Sequence, residues 1–320
     1  MSHGEPNQNV NDSTLRMTVV IPTYRRPDML VRCVASLVAG SCLPDEIVIV
    51  GRKGDVGTEN AIAAINGEYP TTVRIRSVWV TEPGYIPPVE AGVRIASGDL
   101  VAILDDDVTV TPDWLAFMAS HFSDPTIGVV GGSVLVPGKP RIKVRGKPGC
   151  ISWYGKIWGN LGSLTGPDSI DVDSVMEGNS IWRRSLLDSL EFDPVLNFDD
   201  ASMYGLDLCL QAKRRGFKVI YDPRARVYDH AGPRVPELDR KERGGRLFCY
   251  CRNYTYIILK QFPLWRRVIF LAWWFLIGER DAWGLGSLVF DKLSGDWAKN
   301  RHVLQAWRGK IEGIRLSPTK

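Results

Sequence analysis

No Cys-x-x-Cys pair occurs among the six cysteines, Cys33, Cys42, Cys150, Cys209, Cys249 and Cys251. That spacing argues against a structural zinc site. Cys33 and Cys209 fall within apolar helical patterns, as buried, reduced thiols of a reducing compartment do. The polar opening MSHGEPNQNVNDSTLR lacks the apolar core of a signal peptide, so residues 1–16 read as a disordered tail on a protein that stays inside the cell. The uninterrupted apolar run at residues 268–278 falls short of the roughly twenty residues that a membrane-crossing helix needs. Neither sign of charge dominates: 40 Lys and Arg stand against 36 Asp and Glu, for a net charge of +4. This mild excess suits an anionic small ligand or an anionic membrane surface. Nucleic acid is disfavoured, because the basic residues are dispersed among acids and no recognition motif occurs.

What the chain does have is apolar residues, 44% of the total, enough for a sizeable core. From Met17 to about Gly132 they alternate between strand and helix patterns. TVVI, EIVIV, VRIRSVWV and LVAIL read as strands. Between them lie a helix after Pro27 with Leu30, Val34 and Leu37 on one face, TENAIAAING and VEAGVRIAS. Thr111-Pro112 opens a further helix in which Trp114, Met118 and Phe122 share a face. This rhythm predicts a parallel, doubly wound sheet, which binds ligands at the carboxyl ends of its strands. After about residue 133 the character changes, and KPRIKVRGKPGCISWYGKIWGNLG at 139–162 lacks clear periodicity and reads as a long loop or lid over a site. Further on, Leu206, Cys209, Leu210, Ala212 and Lys213 define a helix ending at Gly216. FKVIY is a strand, and residues 225–228 form a second short one closed by His230.

The stretch VAILDDDVTV at residues 101–110 carries the chemistry. Asp105, Asp106 and Asp107 repel one another and add nothing to a core, yet they follow a buried strand at the edge where such a sheet has its crevice. Carboxylates at i and i+2 of an extended segment project to one side and can share a hard cation. Magnesium or manganese keeps several other oxygen ligands, so a bound diphosphate would complete the shell.

Four segments together resemble the family-2 glycosyltransferases: VVIPTYRRPDMLVRCVASL, GDLVAILDDDVTVTPDWL, EGNSIWRRSLL and LDLCLQAKRRGFKVIYDPRARVYDHAG. The likeness covers roughly residues 17–264. It implies an α/β fold of GT-A type, a Rossmann-like doubly wound mixed sheet flanked by helices with a helical carboxyl-terminal extension. The expected division is a tail at 1–16, a catalytic domain at 17–235 (nucleotide-sugar half 17–132, acceptor half 133–235) and a helical region at 236–320. The implied activity is metal-dependent, inverting sugar transfer from a nucleoside diphosphate to an acceptor hydroxyl, with Mn2+ or Mg2+ as cofactor and a glycan or lipid-linked acceptor. By position, Pro22, Thr23, Tyr24 and Arg25 contact the nucleotide. A tyrosine there can stack on a base and an arginine can meet phosphate, the alternative for Arg25 and Arg26 being a solvated helix start. Asp105, with Asp106 beside it, meets donor ribose or metal, Asp107 ligates the cation, and His230 adds an imidazole.

The sequence departs from that family in three places. Where relatives carry an acidic pair whose aspartate is the base, this chain has Tyr204-Gly205. Asp207 is the best substitute, with Asp199 and Asp200 as others and a helix-dipole role as the alternative for Asp207. Gly51-Arg52-Lys53 follow the second strand in place of aspartates that read uracil, which makes Arg52 a nucleotide-binding candidate and leaves the base open. Glu90 replaces an asparagine. A catalytically impaired nucleotide-sugar-binding or scaffold relative is therefore the second reading. Finally, residues 263–290 are rich in tryptophan. Trp265, Trp273, Trp274 and Trp283 with Lys260, Arg266 and Arg267 suit peripheral attachment to the inner face of the cell membrane, or a helical pair packed on the catalytic domain or a second subunit.

Overall fold

Short β-branched runs build the sheet, and in the computed structural model their burial shows why they read as unbroken. The structure describes residues 15–69, 73–138, 147–159, 166, 168–198, 203–231, 245–279, 282–286 and 300–318. Strands β1 (Met17–Pro22), β2 (Glu46–Arg52), β3 (Arg74–Val80) and β4 (Leu100–Leu104) lie parallel in the order β3-β2-β1-β4. They are linked through helices α1 (Pro27–Val38), α2 (Val56–Glu68) and α3 (Ile86–Ile95). Successive side chains go to opposite faces. Val20, Val48, Val101 and Ile103 join one core layer, with α3. Val19, Ile21, Ile47, Ile49, Ala102 and Leu104 join the other, with α1 and α2. Both faces of β1 and β4 are thus covered, and each full burial of a valine or isoleucine contributes about 1.5–3 kcal/mol.

Beyond β4 the sheet turns mixed. The remaining strands are β5 (Val108–Val110), β6 (Ile127–Leu135), β7 (Ile170–Asp171), β8 (Asn179–Arg183) and β9 (Lys218–Asp229), and the order continues β4-β8-β6-β9-β5, with β7 also on β9. Because β8 runs antiparallel to both β4 and β6, the sheet as a whole is mixed, as the resemblance implies, while the strands of the strand-helix rhythm lie parallel in its first half. The two strands predicted around Pro223 are one. β9 is continuous, and its pairing with β6 skips from Gly132↔Asp222 to Ser133↔Arg226, the irregularity expected where proline cannot donate to a ladder. The helix after Thr111-Pro112 is α4 (Trp114–Ser120), with Phe122 in the turn that follows; Trp114, Met118 and Phe122 are all buried. Of the predicted loop at 139–162, residues 147–159 are described and carry an isolated antiparallel bridge between Ile151 and Ile157, whereas residues 139–146 and 160–162 lie outside the described residues.

The carboxyl-terminal helices share the core on one face of the sheet. After α5 (Arg184–Leu187) come α6 (Tyr204–Arg214), α7 (Gly245–Gln261), α8 (Leu264–Leu276) and α9 (Asn300–Leu316). Cys251, Tyr254, Ile257 and Ile258 of α7 and Phe270 and Trp274 of α8 belong to the same cluster as Leu206 and Cys209 of α6. Lys310 of α9 is fully buried and donates to the carbonyls of Trp274, Ala282 and Trp283 at 2.6, 2.9 and 3.0 Å. The carbonyl of Trp274 is one that the end of α8 leaves without a helical partner. Burial pushes the Lys310 ammonium down to about 8.

Candidate active site

The site follows from two strand ends. Parallel pairing of Val20 with Ile103 sets the carboxyl ends of β1 and β4 side by side, so the loop after Pro22 meets the three aspartates. Thr23 Oγ1 donates to Asp106 Oδ2 at 2.6 Å. Arg26 spans the acidic pair, with Nη1 2.7 Å from Asp107 Oδ2 and Nη2 2.7 Å from Asp106 Oδ1. Arg26 is no solvated helix start: it is the internal counter-ion of the cluster. The contact with Asp106 Oδ1 is off the hydrogen-bond direction, so that buried oxygen has an ion pair but no hydrogen bond.

The loop itself is held under strain. Arg25 adopts a φ of 54°, the left-handed region that non-glycine residues rarely occupy. Its N–H donates to Asp55 Oδ2 at 2.6 Å. Asp55 also caps α2, accepting from Thr58 N and Thr58 Oγ1 at 3.1 and 2.7 Å. Asp55 thus fixes the loop. The D-x-x-T spacing of an N-cap was its signal. The guanidinium carbons of Arg25 and Arg52 lie 5.0 and 4.5 Å from the Tyr24 ring centre. Pro22, Thr23, Tyr24, Arg25 and Arg52 are therefore gathered at one sheet edge.

The far wall comes from β8. Leu104 pairs with Asn179 in antiparallel register, and Asp105 N–H donates to Gly178 O at 3.1 Å. Gly178 is needed there: a Cβ would stand 2.0 Å from Asp105 Cγ. Asn179 anchors the turn, accepting from Trp114 Nε1 and donating to Ser133 O. Glu177, one residue earlier, reaches the same region. Its Oε1 accepts from Gly205 N–H at 2.9 Å. Asp105 keeps solvent access but is hemmed in by protein. The protein packed around it, then repulsion from Asp107, Asp106 and Glu177, raises its carboxyl above the usual aspartate range, against the opposing pull of Arg26. Burial likewise lifts Asp106 to about 6, opposed by Arg26 and Thr23.

His230 also comes to this edge. Val108 pairs with Asp229, and His230 N–H donates to Asp107 O at 3.0 Å. The ring is held through Nε2 by Thr109 Oγ1 at 2.9 Å, which makes Nδ1 the candidate ligand atom. Among the described residues no three acidic, histidine or cysteine side chains already form a cation cage. Carboxylate oxygens with an imidazole, three aspartates against the single guanidinium of Arg26, and a buried oxygen without a hydrogen bond nonetheless fit a hard divalent cation. Such a cation would take its other ligands from water and phosphate.

Asp207 is not brought to this site. It is buried at the interface of α6 and α7. Its Oδ1 accepts from Gln261 Nε2 at 2.5 Å, and its Oδ2 from Gln211 Nε2 and Lys260 Nζ at 2.8 and 3.0 Å. Lys260 in turn pairs with Asp193 at 2.6 Å. This is a structural anion clamped between helices, which corrects the expectation of a base. Asp199 and Asp200 lie outside the described residues.

Comparison with known proteins then decides the lineage. The family model described as Glycosyl transferase family 2 matches residues 18–190, more than half of the 320-residue chain. The chain belongs to glycosyl transferase family 2. The family match includes β1, the aspartates, Glu177 and β8, and ends before α6 and His230. The chain is similar to the O-antigen biosynthesis protein RfbC of Myxococcus xanthus, 27% identical over 71% of this chain and 18% of that protein. It spans only 18–26% of the length of three curated relatives that it matches. Among solved structures, the mannosyltransferase PcManGT of Pyrobaculum calidifontis, in complex with GDP-Man and Mn2+, superposes with a TM-score of 0.57 at 16% identity, covering 95% of this chain and 88% of that one. TarS 1-349 of S. aureus, in complex with UDP-GlcNAc, superposes at 0.58 with 14% identity, covering 94% and 82%. These likenesses establish the GT-A fold of this family-2 chain.

Proposed function

We propose that this chain is a cation-dependent, inverting glycosyltransferase that moves a sugar from a nucleoside diphosphate to an acceptor hydroxyl. The observation that carries this reading is the convergence of Asp105, Asp106 and Asp107 with the Thr23–Arg26 loop and His230 at one end of the sheet. PcManGT is described with GDP-Man and Mn2+ and TarS with UDP-GlcNAc, which supports the donor class. Asp107 and His230 would hold the cation, whose chemistry is to neutralise the departing diphosphate. Tyr24 stacks on the base, Arg25 and Arg52 meet phosphate oxygens, and Asp105 orients the sugar or ribose hydroxyls. Inverting transfer is an in-line displacement, so a base must face the acceptor on the side opposite the leaving group. Consumption of UDP-, GDP- or dTDP-sugars in the presence of manganese, with the anomeric configuration of the product read by NMR, tests this. Inverted product supports the reading, and retained configuration or no consumption counts against it.

A growing glycan or lipid-linked acceptor at the inner face of the cell membrane fits the carboxyl-terminal helices. Among the described residues no helix is long and apolar enough to cross a membrane. Leu264, Val268 and Leu276 lie exposed at four-residue spacing or its multiple, with Trp265 beside them, a stripe suited to the lipid interface. The basic residues contribute less than their sequence suggests. Lys260 is tied to Asp193 and Asp207, Arg266 to the carbonyls of Ser152 and Trp153, and Arg267 to that of Phe262. Trp274 is buried in the core. The burial of Asp207 favours one other reading, a nucleotide-sugar-binding relative without transfer activity. The absence of inverted product while nucleotide still binds would support it.

A further inference from the structure

Position 205 carries no side chain, yet the space beside it is filled by a carboxylate. A Cβ at Gly205 would fall 2.5 Å from Glu177 Cγ and 3.5 Å from its Cδ. Glu177 arrives from the turn before β8 and is half-buried. Its neighbour Gly178 is the residue against which the Asp105 carboxylate rests, within 2.0 Å of where a Cβ would be. The antiparallel register of β4 and β8 therefore brings Glu177 to the edge of the acidic site, while Gly205 N–H holds one of its oxygens at 2.9 Å. Glu177 also faces Asp105 closely enough for its charge to act on that carboxyl. No other acidic side chain on α6 is available for the cleft, since Asp207 is turned into the α6–α7 interface.

We infer that Glu177 is the general base of the transfer, the group that takes the proton of the acceptor hydroxyl. This rests on the glycosyltransferase reading above. As the acceptor oxygen bonds to the anomeric carbon, its proton passes to the Glu177 carboxylate. The bond from the anomeric carbon to the diphosphate oxygen breaks, and the nucleoside diphosphate leaves with the electron pair. Gly205 N–H orients the carboxylate, and the missing side chain at 205 makes room for it.

The competing role for Glu177 is a cap on the first turn of α6. Glu177→Gln separates the two, because an amide oxygen still accepts from Gly205 N–H but cannot take a proton at neutral pH. The donors are UDP-glucose, GDP-mannose and dTDP-glucose with manganese chloride, with octyl glucoside or water as acceptor and nucleoside diphosphate release as readout. For whichever donor the native chain consumes, Glu177→Gln is expected to lower turnover by about 10²–10⁴-fold, the range of general-base contributions. Donor affinity by calorimetry and Tm should stay close to native. The second variant moves the acid: Glu177→Ala clears the space, and Glu177→Ala/Gly205→Asp returns a carboxylate from the other side. The double variant is expected to turn over at least tenfold faster than Glu177→Ala. A Glu177→Gln chain within threefold of native activity overturns the inference, as does a double variant no faster than Glu177→Ala. In either case an active native chain leaves the glycosyltransferase reading standing. A native chain that consumes no donor removes that reading and the inference with it.

Discussion

Asp207→Asn is the substitution that most sharply separates a structural anion from a catalytic one. Asp207 meets three donors, Gln261 Nε2 on one oxygen and Gln211 Nε2 and Lys260 Nζ on the other. Asparagine has one oxygen and an NH2 group, so one edge must face a donor. The Gln261 amide cannot flip to accept without losing the bond that its Oε1 receives from Arg214 Nη1 at 2.8 Å. Lys260 keeps Asp193 at 2.6 Å and is not orphaned, which limits the damage to roughly one or two unsatisfied buried groups. At about 1–3 kcal/mol each, the expected loss is about 3 kcal/mol. For a chain of this size that corresponds to a fall in Tm of about 4–5 °C. Differential scanning calorimetry measures it, and donor consumption well below Tm should stay within threefold of native. Unchanged Tm with activity lost a hundredfold would return Asp207 to the role of base.

Three further outcomes follow from the same geometry. Gly178→Ala sets a methyl about where the Asp105 carboxylate now lies, so nucleotide binding by calorimetry should weaken at least tenfold, about 1.4 kcal/mol. Asp222 is fully buried, bonded to His121 at 2.8 Å and to Arg224 at 2.7 Å, and these partners hold its carboxyl well below the usual range. Its stabilisation is therefore present above the ordinary aspartate range, near pH 4, and is lost as pH falls toward the depressed folded value. Tm of the native chain should fall more steeply than that of Asp222→Asn below about pH 4, and parallel profiles would discount the pair. Val268→Asp, in the exposed stripe of α8, should reduce co-sedimentation with phosphatidylglycerol vesicles while leaving Tm unchanged. Equal sedimentation of variant and native chain would remove the lipid reading.

The first half of the fold was legible because its two periodicities are strong and local. Residues 18–21 and 100–104 are unbroken apolar runs that both faces of the sheet bury, and Leu30, Val34 and Leu37 mark the inner side of α1. The aspartates could be assigned to a strand end for the same reason. What escaped was decided by residues far apart in the chain. The role of Asp207 depends on Lys260 and Gln261, which reach it from α7. Arg26 looked like a helix start because its partners Asp106 and Asp107 belong to another strand end. Glu177 could not be assigned to the cleft without the antiparallel register of β8 on β4, which no local pattern encodes. Pro223 resembled a strand break, whereas β9 carries it at an interruption in its pairing with β6.

In the proposed function, the three aspartates at the end of β4 hold a cation and a nucleoside diphosphate. Calorimetric titration of UDP, GDP and dTDP, with and without manganese, into the native chain and Asp107→Ala tests it most directly. One nucleotide is expected to bind the native chain with manganese and at least tenfold more weakly without it, and Asp107→Ala should show the weak binding under both conditions. Nucleotide binding that ignores both manganese and Asp107, or no binding at all, would contradict the account.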